Sequence, residues 1–283
     1  MRLQHARGVL TLDAPVVMGV LNVTPDSFSD GGRYLDPDLA LDHALRLRDE
    51  GATLIDVGGE STRPGAATLD EAAELARVLP VVRRLARASD VLVSVDTSSA
   101  LVAGACLEAG AALINDIRAG QRAGLLEAVA GRGAAVCLMH MQGEPASMQA
   151  APVYDDVVSE VRDFLHARLQ ACERAGITRD RVLFDPGFGF GKSPAHNLQL
   201  LAALPRLAEA GVPLLVGLSR KSLLQTLTGR GVHERLAGSV ALAALAVRAG
   251  ARVVRAHDVA ATLDAVKVAW ALRQAEESGG VSG

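Results

Sequence analysis

The chain has 283 residues, of which 49% are hydrophobic and 22% are charged, and its formal net charge is −3 at pH 7. This length allows one large domain with a sizeable core. The small negative charge gives no general attraction for nucleic acid or for an anionic membrane surface. We therefore expect neither partner, and any anionic ligand must be captured by a local site.

The three cysteines, Cys106, Cys137 and Cys172, are odd in number and widely spaced, which favours neither a disulfide framework nor a metal site. We interpret them as buried apolar residues. No apolar run follows Met1, and the longest apolar stretch, 236–247, is shorter than the roughly 20 residues that a membrane span needs. These features predict a cytoplasmic protein.

One alternation repeats along the chain: a short run rich in Val, Ile and Leu ends in a polar residue, and a loop and a helical stretch follow. The predicted strands lie at 16–22, 53–60, 91–97, 112–117, 134–140, 182–187, 214–220 and 252–257. The predicted helices lie at 37–50, 69–87, 98–109, 125–131, 153–175, 197–210, 234–249 and 259–277. Continuous apolar strands that alternate with helices are typical of a covered parallel sheet, and eight such units predict a (β/α)8 TIM barrel.

No linker or low-complexity run divides the chain, so a single domain is predicted for 1–283. Its core spans about 16–273, residues 1–15 form a short hairpin over the bottom of the barrel, and 274–283 form a flexible tail. A doubly wound open sheet is the alternative architecture.

The active site of such a barrel lies at the carboxyl ends of its strands. A barrel needs loops there but has no structural need for charged side chains. Residues that follow the predicted strands are Asn22, Glu60, Ser61, Thr62, Arg63, Asp96, Asn115, His140, Asp185, Lys221, Arg255 and His257. Two long polar βα loops, 22–34 and 58–68, are predicted to be mobile lids over this end.

A cationic set of Arg63, Arg255 and His257 points to a bound phosphate group, because guanidinium groups grip phosphate in a bidentate way. Arg255 ends an apolar strand, so its charge needs a partner or must point out of the barrel mouth. Asn22 offers one neutral oxygen, which suits Mg²⁺ that arrives with a phosphate, although a loop-capping role is the alternative.

Three acceptors, Asp96, Asn115 and Asp185, match a heterocycle that presents N–H donors on one edge. A helix N-cap is the alternative role for Asp96. The segment GFGFGK, 187–192, brings Phe188 and Phe190 to the same end, where a ring could pack over a flat substrate. Core packing is the alternative for Phe188.

The segment SRKS, 219–222, follows the seventh strand. Lys221 can donate to a ring carbonyl or nitrogen, and Ser222 begins a helix whose N-terminus attracts a carboxylate, unless it is a plain N-cap. For His140, a satisfied residue at the core edge and a catalytic residue remain equally open.

Eight segments resemble bacterial dihydropteroate synthases in order, from about Val16 to Lys267: NVTPDSFSDGG, DVGGESTRPGA, SVDTS, INDI, CLMHMQG, DPGFGFGK, GLSRKS and RAHDV. The resemblance implies a transferase of folate synthesis that condenses 6-hydroxymethyl-7,8-dihydropterin diphosphate with p-aminobenzoate. Its products are 7,8-dihydropteroate and diphosphate. The resemblance also implies Mg²⁺, a homodimer and inhibition by sulfonamides.

Carried over position by position, the resemblance implies three subsites. The pterin site comprises Asp96, Asn115, Asp185 and Lys221. The diphosphate site comprises Asn22, which also binds Mg²⁺, together with Thr62, Arg63, Arg255 and His257. The aminobenzoate site comprises Thr62, Pro64, Phe190, Lys221 and Ser222. The residues expected to act in catalysis are Asp185, Lys221, Arg63, Arg255 and His257.

The pterin ring can delocalise positive charge, so we expect diphosphate to leave before the amine attacks, with no covalent enzyme nucleophile. The cationic set then stabilises the anion and Asp185 the ring cation, while the lids exclude water. One rival is a pterin-dependent methyltransferase to a corrinoid, which should lack the Thr-Arg-Pro loop. Another is a non-catalytic pterin-binding barrel, which should have degenerate polar residues. The apolar helix at 236–247 is the expected dimer surface.

Overall fold

The computed structural model describes residues 1–24, 37–60, 69–144, 147–149 and 151–279. Within these ranges, the strands are β1 (Arg2–His5), β2 (Gly8–Thr11), β3 (Val16–Asn22), β4 (Leu54–Gly58), β5 (Leu92–Asp96), β6 (Leu113–Asp116), β7 (Ala135–Met139), β8 (Val182–Asp185), β9 (Leu214–Gly217) and β10 (Ala251–Ala256). The helices are α1 (Pro37–Asp49), α2 (Glu71–Ala88), α3 (Ala100–Glu108), α4 (Leu125–Gly131), α5 (Val157–Arg174), α6 (Pro194–Ala202), α7 (Leu204–Ala208), α8 (Ser222–Thr228), α9 (Leu236–Arg248) and α10 (Val259–Gly279).

Strands β3 to β10 form a closed barrel, in which each strand pairs in parallel with the next and β10 pairs with β3. The predicted (β/α)8 barrel is confirmed, and the open-sheet alternative is wrong. The helices cover the outer face of the barrel, and the largest apolar cluster fills the space between the two layers. This arrangement follows from the sequence pattern, because strands buried on both faces read as continuous apolar runs.

Several helix boundaries differ from the sequence-based prediction. Helix α5 begins at Val157 because the Asp156 carboxylate caps it, accepting hydrogen bonds from two backbone N–H groups of the first turn. The helix expected at 197–210 is two helices, α6 and α7, and Pro205 lies in the first turn of the second. Helix α10 continues to Gly279, so residues 274–279 are helical rather than part of the expected flexible tail, and 280–283 lie outside the described residues.

The bottom of the barrel interior is apolar and is closed by the β1–β2 hairpin, as expected from the sequence. Leu3 and Leu12, from and just after the hairpin, are almost fully buried against the interior side chains. Those interior side chains are Met18, Leu54, Leu113, Ala135, Cys137, Leu183, Leu215 and Val253. Because side chains on one face of a strand recur every second residue, the next interior position along each strand belongs to the top layer.

The top layer is polar. Two residues after the apolar positions of β4, β6, β8 and β10 lie Asp56, Asn115, Asp185 and Arg255. The barrel therefore concentrates charged and amide side chains at one end of its interior, the end at which the strands terminate.

None of the described helices combines the length and the apolar composition needed to cross a bilayer. All three cysteines are buried, and burial raises their pKa values, which confirms their interpretation as apolar core residues.

Candidate active site

Asp56 is the centre of the polar layer and was missed by the sequence analysis. Its carboxylate is fully buried and accepts hydrogen bonds from Ser94 Oγ at 2.6 Å, Asn115 Nδ2 at 2.9 Å and Arg255 Nε at 2.7 Å. A charged residue inside an otherwise apolar strand was the available signal, since such a charge must have a partner. Arg255 gives the same kind of signal in β10.

Arg255 also contacts Asp96, whose carboxylate oxygen lies 3.2 Å from its Nη2 atom. Burial and the neighbouring Asp56 charge raise the pKa of Asp96 to about 7, against the opposing effect of Arg255. The acidic residues and the arginine, which the sequence assigned to different subsites, are thus joined in one network. Asp96 does not cap helix α3, because Ser99 accepts the hydrogen bond from Val102 N at that position.

Asp185 and Lys221 are two further buried charged residues of the site, and each affects the pKa of the other. Burial raises the pKa of Asp185, although a 2.8 Å hydrogen bond from Gly187 N and the charge of Lys221 oppose the shift. Burial lowers the pKa of Lys221 to about 8, and Asp185 opposes that shift. The Lys221 ammonium lies 4.2 Å from the centroid of the Phe190 ring, a cation–π contact.

Phe190 belongs to the loop 187–192. Lys192, at the end of this loop, donates hydrogen bonds to the carbonyl oxygens of Gly187 and Phe190. Lys192 is only 2% exposed, and its Nζ atom lies 3.0 Å from His140 Nδ1. Burial, followed by the charge of Lys192, lowers the pKa of His140 to about 3, so this imidazole is neutral and accepts from the ammonium. Phe188 is buried in the core, as the packing alternative predicted.

The backbone of the 219–222 segment is held in an unusual conformation. Arg220 has φ +57°, a left-handed value, and its guanidinium makes two hydrogen bonds to Asp258, at 3.0 and 2.6 Å. Arg235 donates to the carbonyl oxygens of Arg220 and Lys221 at 2.9 and 3.3 Å. Ser222 is the first residue of α8 rather than its N-cap, since Lys221 occupies the cap position.

His257 differs from the expected cationic set. Burial and the charges of Arg255 and Arg220 lower its pKa to about 4, so it is neutral at pH 7. Its Nδ1 atom lies 3.1 Å from Ser219 Oγ. Among the described members of the expected cationic set, Arg255 therefore carries the positive charge, and His257 is a neutral hydrogen-bonding group.

Asn22 is half-buried at the end of β3, where it pairs with Gly58 of β4. Thr62, Arg63 and Pro64 lie outside the described residues, as do 25–34 and 61–68 of the two expected lids. The described base of the second loop is closed by a hydrogen bond of 3.2 Å from Leu69 N to the Glu60 carboxylate. No group of three or more His, Cys, Asp or Glu side chains suited to a metal ion occurs in the part of the chain that the structure describes.

The family described as pterin binding enzyme matches residues 18–257. The chain belongs to this family. That match covers the whole polar layer, from Asp56 to Arg255, and it also includes Asn22 and His257.

Proteins of similar sequence and structure align with this chain over almost its whole length. The dihydropteroate synthase of Escherichia coli K12 is 50% identical over 269 residues, which is 95% of each chain. The Yersinia pestis dihydropteroate synthase, solved with a sulfonamide drug, has a TM-score of 0.92 and 52% identity over 97% of this chain and 100% of its own. The Xanthomonas albilineans enzyme, solved with 4-aminobenzoic acid, has a TM-score of 0.90 and 52% identity over 97% and 99%.

These likenesses confirm the expected fold and activity. The chain is a folate-synthesis transferase that joins a dihydropterin methyl diphosphate to p-aminobenzoate, forming 7,8-dihydropteroate and diphosphate. The rival functions, a methyltransferase to a corrinoid and a non-catalytic barrel, are not supported.

Proposed function

We propose that this site makes dihydropteroate by a dissociative route, in which diphosphate leaves before the amine attacks. The arrangement that supports this most directly is the network in which Asp56 holds both Asn115 and Arg255. In this network, groups that can accept hydrogen bonds from the edge of the pterin ring lie beside Arg255, whose positive charge can stabilise the departing diphosphate. Charge separation between the ring and the leaving diphosphate would therefore be matched by fixed groups of both signs.

For the pterin ring we propose Asp96, Asn115, Asp185 and Lys221 as ligands. The acceptors suit the N–H donors of the ring, and Lys221 suits its carbonyl or ring nitrogen. Asp185 is held by Gly187 N at 2.8 Å, so its carboxylate is oriented before the substrate arrives. A fixed carboxylate beside the ring stabilises the cation that forms when diphosphate leaves.

For the diphosphate we propose Arg255, His257 and Asn22, together with Thr62 and Arg63. Arg255 supplies positive charge, and the neutral His257 supplies a hydrogen bond whose strength increases if the phosphate raises its pKa. Mg²⁺ suits Asn22 as a single oxygen ligand, and the described residues offer no carboxylate cage that would bind the ion by itself. When bound with the phosphate, the ion would neutralise charge on the leaving group.

For p-aminobenzoate we propose a slot between Phe190, Lys221 and Ser222, bounded by Thr62 and Pro64. Phe190 offers a ring face, and Lys221 lies 4.2 Å above it, where a cation can also approach a carboxylate. The aniline nitrogen is weakly basic and needs no strong base to attack. Sulfonamides imitate this amine, so the same slot is their proposed site.

A second copy of the chain is the remaining proposed partner. Helix α9, the expected surface, exposes Leu245 (53%), and the neighbouring α10 exposes Val268 (72%) and Leu272 (47%). Apolar residues exposed on adjacent helices favour association. We also propose a cytoplasmic location, which three free, buried cysteines support, because thiols stay reduced in that compartment.

The dissociative route is tested by isotope exchange. Bound pterin diphosphate, labelled at the bridging oxygen, should scramble its label without p-aminobenzoate, because ionisation is reversible. Asp185→Asn should slow this scrambling on the order of 100-fold, while Asp42→Asn, an exposed change on α1, should not. Product formation without scrambling would show a concerted attack, and absence of p-aminobenzoate-dependent diphosphate release would refute the activity itself.

A further inference from the structure

Lys192 is buried without a carboxylate in contact. Its Nζ atom lies 2.9 Å from Gly187 O, 3.0 Å from Phe190 O and 3.2 Å from His140 O, in addition to the His140 imidazole. In the part of the chain that is described, no carboxylate oxygen lies within 4.0 Å of this ammonium. Burial lowers the pKa of Lys192 to about 7, and the charge of Asp185 opposes the shift. An amino group held only by carbonyl oxygens and one imidazole is costly to bury, so we expect Lys192 to have a role beyond packing.

Within the 187–191 loop beside Lys192, one backbone hydrogen bond is formed, from Phe190 N to Gly187 O at 3.1 Å. Gly187, Gly189 and Gly191 have φ values of +70°, +78° and +59°, and glycine-rich segments lose the most conformational entropy on ordering. Lys192 connects the two ends of this loop, because it binds the carbonyl of its first residue and that of Phe190.

Other side chains complete the attachment of the loop. Gly189 N donates to Asn197 Oδ1 at 2.8 Å, and Tyr154 Oη donates to Gly191 O at 2.7 Å. The Gln149 amide also donates to the carbonyl oxygen of Gly189. Side chains from outside the loop thus bind its backbone groups, and the Phe190 ring within it faces the Lys221 ammonium.

Position 192 carries a lysine rather than an arginine, and this difference affects how the side chain can donate hydrogen bonds. Only three of the 29 basic residues counted as Lys or Arg are lysines, and two of them, Lys192 and Lys221, are in this site. A compact ammonium can converge its three donors on several carbonyl oxygens, whereas a planar guanidinium presents its donors in a rigid fork. The choice of lysine therefore fits the cluster of acceptors that Lys192 reaches.

We propose that Lys192 is a positioning residue for the aminobenzoate slot: its ammonium fixes the 187–191 loop, and through it the Phe190 ring against Lys221. The inference rests on the proposed role of Phe190 in binding p-aminobenzoate. Gly189 provides a second contact between the loop and Lys221. Its Cα hydrogen faces the aliphatic part of the Lys221 side chain, and a Cβ atom added at Gly189 would lie 3.2 Å from Lys221 Cδ. A shift of the loop moves both walls of the slot.

Steady-state kinetics of purified full-length variants test this. Lys192→Met should raise KM for p-aminobenzoate at least about tenfold, consistent with loss of slot geometry, and change KM for the pterin diphosphate by a clearly smaller factor. Lys192→Gln, which keeps two N–H donors, should lie between wild type and Lys192→Met. Lys267→Met, a change at the exposed lysine of α10, is the matched control. A merely structural lysine would reduce the active fraction and leave both KM values unchanged.

The variant Phe190→Leu distinguishes the proposed slot from the proposed positioning role of Lys192. If Lys192 acts through Phe190, the effects of Lys192→Gln and Phe190→Leu on KM for p-aminobenzoate are smaller together than their product. An unchanged KM in Phe190→Leu would refute the proposed slot itself. A raised KM in Phe190→Leu with an unchanged KM in the lysine variants would overturn the positioning role. If both lysine variants fail to fold, the residue is structural and the proposal is wrong.

Discussion

The Nε atom of Arg255 in β10 donates to Asp56 in β4 at 2.7 Å, across a separation of 199 residues in the sequence. Two strands that are distant in the chain thus supply opposite charges to one layer of the barrel interior. Asp56 is fully buried, so the pair is shielded from water and is strong only while it is complete.

Removing the Asp56 charge tests its role as an anchor. Asp56→Asn keeps the shape but leaves Arg255 without its closest counter-ion, and breaking a buried pair costs about 3 kcal/mol in the free energy of unfolding. Misplacement of Arg255 should also lower kcat/KM on the order of 100-fold. Chemical denaturation and kinetics measure both, with Asp42→Asn as the exposed control. Unchanged stability and kcat/KM would mean that the ion pair is dispensable.

The pH dependence of stability should report on Asp96. Its folded-state pKa of about 7 exceeds the usual value of 3.8, so the folded protein holds an extra proton between these limits. The resulting stabilisation is fully present below about pH 4 and is lost as the pH rises to about 7. Relative to Asp96→Asn, wild type should lose at most about 4 kcal/mol across this window, by urea denaturation. A pH-independent difference would contradict the raised pKa.

Substitution by alanine at two glycines with similar backbone angles should lower the free energy of unfolding by different amounts. An alanine Cβ at Gly187, where φ is +70°, would overlap the carbonyl oxygen of His140, while at Gly176, where φ is +86°, the same atom meets nothing within 4 Å. Gly176→Ala should cost about 1 kcal/mol for the left-handed backbone alone. Gly187→Ala should cost at least about 3 kcal/mol, because overpacking is added. Thermal and urea unfolding compare them, and equal costs would show that the 187–191 loop can shift freely.

The proposed dimer surface has a direct test in solution. A charge introduced at Leu245 and Val268 should abolish association, because unpaired charges are costly in an apolar interface. Sedimentation should then show a dimer for wild type and a monomer for Leu245→Glu/Val268→Glu. Leu101 on helix α3 is as exposed as Leu245, and the control variant Leu101→Glu should remain a dimer. A wild-type monomer at all accessible concentrations would remove this partner.

Much of the polar layer could be found from sequence because each strand ends in a polar residue that the fold does not require. Asp96, Asn115, Asp185, Lys221 and Arg255 were predicted in this way. Asp56 and Lys192 were missed for different reasons. Asp56 lies in the middle of β4, whereas Asn115 and Arg255 are each one residue from the end of their strands. Lys192 lies at the end of a glycine-rich loop whose path cannot be inferred from local preferences.

The sequence by itself determined the barrel, the closing hairpin and the types of group at the strand ends, because these depend on local periodicity and on the position of polar residues after apolar runs. Only the tertiary structure decided which charges share a counter-ion and which groups are ionised. Arg255 could be expected to need a partner, but that Asp56 holds it, and that His257 is neutral, depend on burial and on distances between strands that are far apart in the chain.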